Sequence, residues 1–240
     1  MRLERWVAGL GAAGVAAGLV VPAAAPLALA GVIGAVWMAS ARPELEAFGP
    51  VIVRARHPGR LALTIDDRPH PVSTPAMLAT LAAADAHATF FLLADRVQRH
   101  PGLLRDILAG GHEVGLHGLS HHPWLTVYSP ARGAAELRRA VEILGVPGLR
   151  WFRPPFGAVS PRLHEAVRLA GLTLAWCSVR TGDGVRIAPD TLRARCRKAV
   201  GTDIVLLHDG DGPTHTLLPE LLHEWESRGI RASTLTEALA

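Results

Sequence analysis

From residue 61 onward, short apolar runs alternate with longer stretches whose apolar residues recur at helical spacing. That alternation limits the fold more than any other feature of the chain. The runs 61–65, 88–93, 113–116, 149–152, 172–179, 204–207 and 230–233 have the length and composition of strands. Between them, 75–84, 101–109, 131–144, 161–170, 191–200 and 216–228 read as helices. Thr74-Pro75, Ser160-Pro161 and Asp190-Thr191 supply capping and first-turn signals, and Gly110-Gly111, Gly171 and Gly229 supply stops. Parallel neighbours need a crossover connection, so about seven alternations of strand and helix predict a parallel sheet closed or nearly closed into a barrel. At 240 residues the chain holds one large α/β domain or two small ones, with no short repeat or low-complexity linker.

The first residues are different. Residues 6–40 carry no charged side chain. As one helix they would run about 50 Å, against a hydrocarbon core of about 30 Å. Pro22 and Pro26 divide the run. It fits a signal peptide with Ala28-Leu29-Ala30 as cleavage site, a two-helix hairpin, or one kinked anchor. Arg2 and Arg5 precede it and Arg42, Arg54, Arg56 and Arg60 follow, so charge does not orient it. The expected division is a hydrophobic membrane anchor at 1–43 and a catalytic domain at 44–240.

Net charge is +4, and arginine supplies nearly all the positive charge. No dense basic run with interleaved aromatics is present, which argues against nucleic-acid binding. Cys177 and Cys196 lie outside any CxxC or Cys/His cluster and are expected as buried free thiols.

Chemistry concentrates at three strand ends, which share one face of a parallel barrel. Asp66-Asp67 follows the first run, His117 and His121 follow the third, and His208-Asp209 follows 204–207. The spacing H-x-x-x-H puts both imidazoles on one face if the segment is a helical turn. A carboxylate from Asp67 or Asp66 would complete a set suited to zinc, cobalt, nickel or iron. Two adjacent carboxylates repel unless a cation lies near, and one on a metal with one free as base gives both a reason. His208 has the chemistry of a general acid near neutral pH. Arg153, opening Arg153-Pro154-Pro155-Phe156-Gly157, is suited to hold a carboxylate.

Together, Thr64-Ile65-Asp66-Asp67, His117-Gly118-Leu119-Ser120-His121, Arg153-Pro154-Pro155-Phe156-Gly157 and Leu206-Leu207-His208 resemble, in order, the motifs of the polysaccharide deacetylases with the NodB-homology domain, carbohydrate esterase family 4. The resemblance runs from residue 61 to the C-terminus. It implies a distorted (β/α)7 barrel. It implies a divalent metal, usually zinc, with cobalt or nickel as alternatives, on Asp67, His117 and His121. Asp66 would be the base, held by Arg153. Phe156 would offer its main-chain N–H to the oxyanion, Leu206 would line the acetyl pocket, and His208 would protonate the leaving amine. The implied substrate is an N-acetylated glycan, with a lipid-linked sugar or a non-catalytic glycan-binding role as alternatives. No obligate protein partner is expected. The expected location is a bacterial cell membrane, with the catalytic domain outside the cytoplasm.

Two departures stand out. The family usually has Gly-Pro after the paired aspartates, where this chain has Arg68-Pro69. Arg68 is expected either to force a different turn or to place a cation beside the site, where it meets an anionic substrate or points to solvent. The loop that often carries two aspartates and a tryptophan reads Ser178-Val179-Arg180-Thr181-Gly182-Asp183-Gly184, leaving Asp183 as the partner for His208.

Overall fold

A computed structural model describes residues 24–185, 187–208 and 213–240. The core is one sheet of parallel strands: β1 (Arg60–Arg68), β2 (Thr89–Leu93), β3 (Glu113–Gly118), β4 (Trp151–Phe152), β5 (Thr173–Leu174), β6 (Val179–Arg180), β7 (Ile204–His208) and β8 (Arg231–Ser233). Their order is β5-β4-β3-β2-β1-β7-β6, with β8 paired to the first residues of β1. Helices Ser73–Ala83, Ala94–Arg99, Pro101–Ala109, Pro130–Leu144, Pro161–Leu169, Pro189–Cys196 and Thr214–Ser227 connect the strands, and Leu235–Leu239 follows β8. The central strands are buried along nearly their whole length, as parallel strands covered by helices must be.

The run 172–179, expected as one strand, is two. Strand β5 lies at one edge of the sheet and β6 at the other. Only four residues separate them, so the sheet must curl until its edges approach. In the gap Ile52 bridges Ala175, and Trp176 N–H donates to Ile52 O at 2.7 Å. The architecture is therefore an α/β half-barrel of parallel strands. The linking residues Ala175, Trp176 and Cys177 are buried, which is why they read as continuous strand.

One helix start stands as expected and two shift. Ser160 caps its helix, accepting from Leu163 N–H at 3.1 Å. The helix expected from Thr191 instead starts at Pro189, whose missing N–H costs nothing in a first turn, so Asp190 is not the cap. The helix expected from Pro75 begins at Ser73, and the Thr74 hydroxyl accepts from His70 N–H at 2.8 Å. The helix Leu235–Leu239 carries a full capping box between Thr234 and Glu237, a signal present in the sequence and not used. Cys177 and Cys196 are free and buried.

The anchor expected at 1–43 lies partly outside the described residues. Within them, helix Ala24–Ala41 leaves Leu27, Leu29, Ile33 and Trp37 exposed. It joins the domain at its C-terminal end, where Val159 N–H donates to Ser40 O at 2.9 Å and Ala39 is buried. Among the described residues no helix is long and apolar enough to cross a membrane.

Candidate active site

The C-terminal ends of β1, β3 and β7 converge on a cavity of about 350 Å³. Asp66, Asp67, His117, His121, Phe156, Leu206 and His208 all line it. Strand β1 delivers two carboxylates by breaking its own register. Pairing with β2 slips between Ile65 and Arg68, and Asp67 sits at φ 65°. Such a bulge re-aims consecutive side chains that an unbroken strand would send to opposite faces. Aspartate tolerates the left-handed region better than most residues, so this side chain suits the position twice over.

Asp66 is buried against the fully buried Arg153, whose Nη1 donates to Asp66 Oδ1 at 2.8 Å. The guanidinium also donates to Thr64 Oγ1 at 2.7 Å and Trp176 O at 2.8 Å, and it lies 4.2 Å from the centre of the Phe91 ring. A buried ion pair is tolerable only when its remaining donors are satisfied in this way. Thr64 is the piece that sequence reasoning missed. Its hydroxyl accepts from Arg153 and donates to Val205 O, tying the ion pair to β7. A buried threonine inside an apolar strand was the available signal.

His117 and His121 do come together, but not on a helical turn. His117 belongs to β3, and His121 follows in a bend that begins at Gly118, φ 116°. That backbone angle is open to glycine and strained for other residues, so the return of the chain depends on it. His117 Nδ1 lies 2.9 Å from Arg153 O. A carbonyl only accepts, so Nδ1 carries the proton and the Nε2 lone pair faces the cavity. Burial pushes the His117 pKa down, against the opposing pull of Asp66 and Asp67, which favours a neutral imidazole.

Asp67 Oδ1 lies 3.7 Å from His117 Nε2 and 3.5 Å from His121 Nε2. It is buried and has no hydrogen-bond partner. The three ligand atoms all lie within 4.8 Å of one another. An orphaned carboxylate oxygen facing two imidazole nitrogens, one with its tautomer fixed from behind, is the donor set a divalent cation needs. His122 faces elsewhere, 3.5 Å from Glu136.

His208 is held by Asp183. The imidazole Nδ1 lies 2.9 Å from Asp183 Oδ1, and His208 main-chain N–H donates to Asp183 Oδ2 at 2.7 Å. Thr181 and Thr214 hydroxyls donate to the same carboxylate. Burial alone would lower the His208 pKa. The hydrogen bond to Asp183 and the charges of Asp66, Asp183 and Asp67 outweigh it and leave the value raised. Burial would likewise raise Asp183, but its bond to His208 and the two hydroxyls hold it below the ordinary carboxylate range.

Phe156 sits at φ 60° on the lip of the cavity, its ring 4.3 Å from that of His121. Gly157 follows at φ 65°, and a side chain there would strike the Trp176 ring that walls the cavity. Trp176, Arg180 and Val185 also line the pocket and were not foreseen.

Arg68 meets neither a substrate in the cavity nor solvent. It is fully buried and donates to Ser73 Oγ at 3.1 Å, Thr74 Oγ1 at 3.2 Å and the Met77 sulfur. Its place is behind the site, where burial and the nearby Arg96 push its pKa down to about 9. Arg96 in turn donates to Asp67 O.

Comparison with known proteins bears on this geometry. Residues 54–175 match the polysaccharide deacetylase family. Over 82% of its length the chain is 32% identical to a peptidoglycan-N-acetylglucosamine deacetylase of Bacillus cereus, and it covers 97% of that protein. Over 78% of its length it is 33% identical to the peptidoglycan-N-acetylglucosamine deacetylase PgdA of Listeria monocytogenes, of which it spans only 40%. A crystal structure of a carbohydrate esterase family 4 pseudoenzyme from Bacillus anthracis superposes with a TM-score of 0.72 at 27% identity, covering 82% of this chain and 71% of that one. On these grounds the chain belongs to the polysaccharide deacetylase family.

Proposed function

We propose that the protein is a metal-dependent hydrolase that removes N-acetyl groups from an N-acetylated glycan of the peptidoglycan or chitin type. The observation that carries this reading is the orphaned Asp67 Oδ1 between two imidazole nitrogens, with the Arg153-bound carboxylate of Asp66 beside it. Asp67, His117 and His121 would hold the cation, zinc by preference and cobalt or nickel as substitutes. When bound, it polarises the scissile carbonyl and makes water more acidic.

The chain's own residues do the rest. Arg153 orients Asp66 toward the cavity, where it takes the proton of the attacking water. The main-chain N–H of Phe156 donates to the oxyanion. Leu206, beside Trp176, lodges the acetyl methyl. His208, kept protonated and oriented by Asp183, gives its proton to the nitrogen as the carbon–nitrogen bond breaks. Water and amide are consumed, and acetate and a free amine leave.

The family contains a pseudoenzyme, so a non-catalytic reading has a specific basis. Against it, this chain keeps base, acid and three candidate ligands in one cavity. We assign residues 44–240 to the catalytic domain. The exposed apolar helix Ala24–Ala41 supports attachment to a membrane. The domain is proposed to lie on the extracytoplasmic face, where peptidoglycan stands.

The test is acetate release from chitooligosaccharides and peptidoglycan fragments with zinc or cobalt added. The reading expects free amine to appear in step with acetate. Cation binding with no acetate from either substrate would favour the binding role.

A further inference from the structure

Among the described residues that line the cavity, one cation, Arg180, has no assigned task. Arg180 is the second residue of β6, and its register partner in β7 is Leu206. Paired residues of neighbouring strands project to the same face, so Arg180 and Leu206 point together into the cavity, and both line it. Leu206 is the residue placed against the acetyl methyl. Arg180 therefore stands one strand away from the reacting group, on the side of His208 and the leaving amine.

The other charges of the site are answered. Asp66 has Arg153, Asp183 has His208, and Asp67 faces the two imidazoles. Arg180 is exposed, its side chain makes no hydrogen bond or ion pair among the described residues, and its guanidinium rests 5.4 Å from the centre of the Trp176 ring. The stack holds the head group at the mouth while leaving its forked N–H donors free.

Beside Arg180 the wall is backbone packed close on its neighbours. Gly182 and Gly184 line the cavity beside Arg180, and a Cβ on Gly184 would lie 3.0 Å from the His208 ring. The loop backbone at Gly184 therefore packs directly against the His208 ring. Val185, Phe156, Pro154 and Trp176 complete an apolar rim. A lone guanidinium in such a rim pairs with an anion more strongly than one in open water.

We propose that Arg180 is a specificity-determining residue, and that the substrate is an acidic glycan, its N-acetylated sugar carrying a carboxylate or phosphate that docks on Arg180 next to the acetamido group. This rests on the deacetylase reading and narrows its substrate class. The cavity mouth beside Arg180 receives the substituent, and the guanidinium supplies the counter-charge.

The experiment compares three N-acetylated oligosaccharides of equal length on the full chain loaded with zinc. One is neutral, one bears a lactyl ether carboxylate, and one bears a phosphate ester. Wild type, Arg180→Gln and Arg180→Lys are each assayed for kcat/KM and, by calorimetry, for affinity. The wild-type preference for acidic over neutral glycan should be about tenfold, the size of a charged hydrogen bond. Arg180→Gln should bring that ratio close to one by raising KM, Arg180→Lys should keep most of it, and added salt should erode it. Whichever acid binds more tightly identifies the substituent. A wild-type ratio of one, or a ratio that survives Arg180→Gln, overturns the proposal. If no glycan releases acetate, the deacetylase reading fails, while the affinity ratios still decide the role of Arg180.

Discussion

At the scale of single residues, the site depends on groups held from behind. Arg153 orients Asp66, Arg153 O fixes the tautomer of His117, and Asp183 holds the proton of His208. The last has a consequence in pH. His208 keeps its proton above the usual histidine value of about 6.5, so activity that needs the charged imidazole should fall only as pH rises beyond that value. Asp183→Asn removes the chief partner and should move the alkaline limb of kcat to lower pH, which a pH–rate profile reads directly. Linkage gives the same pair a stability signature. A raised folded pKa contributes stability that is complete below about 6.5 and lost as pH climbs through the folded value. The depressed Asp183 contributes above about 3.9, and that stability is lost as pH falls through its folded value. The difference in Tm between wild type and Asp183→Asn should therefore be largest between these limits and shrink on both sides. Asp66, Asp67, His117, His121, Arg153, Phe156, Leu206 and His208 were all legible as ordered motifs. Strand ends in a parallel sheet share a face, and that rule needs only the strand positions. The Asp183–His208 contact spans 25 residues and obeys no local spacing, so only the resemblance pointed to it. Thr64, Trp176 and Arg180 were not found, because their roles come from what they touch across the sheet.

At the scale of elements, the turn after β1 differs most from expectation. Arg68 is a buried strut from the end of β1 to the first turn of helix Ser73–Ala83. Arg68→Gly restores the residue usual in the family but should destabilise this chain. It empties a buried site and strips donors from the Ser73 and Thr74 hydroxyls. The cost should be roughly 3 kcal/mol, a fall in Tm of about 6–12 °C for a domain of this size. An unchanged melting curve would show that the strut carries no stability. The sequence could not place Arg68 inside, because an arginine in a polar turn ordinarily reaches water. Similar limits explain the other errors. A buried link and two short strands gave one apolar run at 172–179. The two histidines were read at helical spacing because the glycine bend that joins them leaves no periodic trace.

At the scale of the whole molecule, the alternation of strands and helices was enough to foresee a parallel, curled sheet with its chemistry at one end. Which strands form the edges was not legible, since periodicity within a segment carries no information about its neighbours. Helix Ala24–Ala41 touches that core at its C-terminal end, through Ala39 and Ser40. Helix Ala24–Ala41 exposes large apolar side chains to its surroundings. A chain beginning at Glu44 should keep the Tm of the domain and stay in the supernatant with lipid vesicles, whereas the full chain should sediment with them. Equal partition of both would remove the anchor from the account. The central claim is that one cation on Asp67, His117 and His121 lets Asp66 drive amide hydrolysis. The most direct measurement is acetate release by protein stripped with chelator and then titrated with zinc, with Asp66→Asn beside it. The account predicts that stripping abolishes release and that one equivalent restores it. Asp66→Asn should bind the same equivalent yet lose at least about a hundredfold in kcat. Release that survives the chelator, or an Asp66→Asn protein with undiminished kcat, would contradict it.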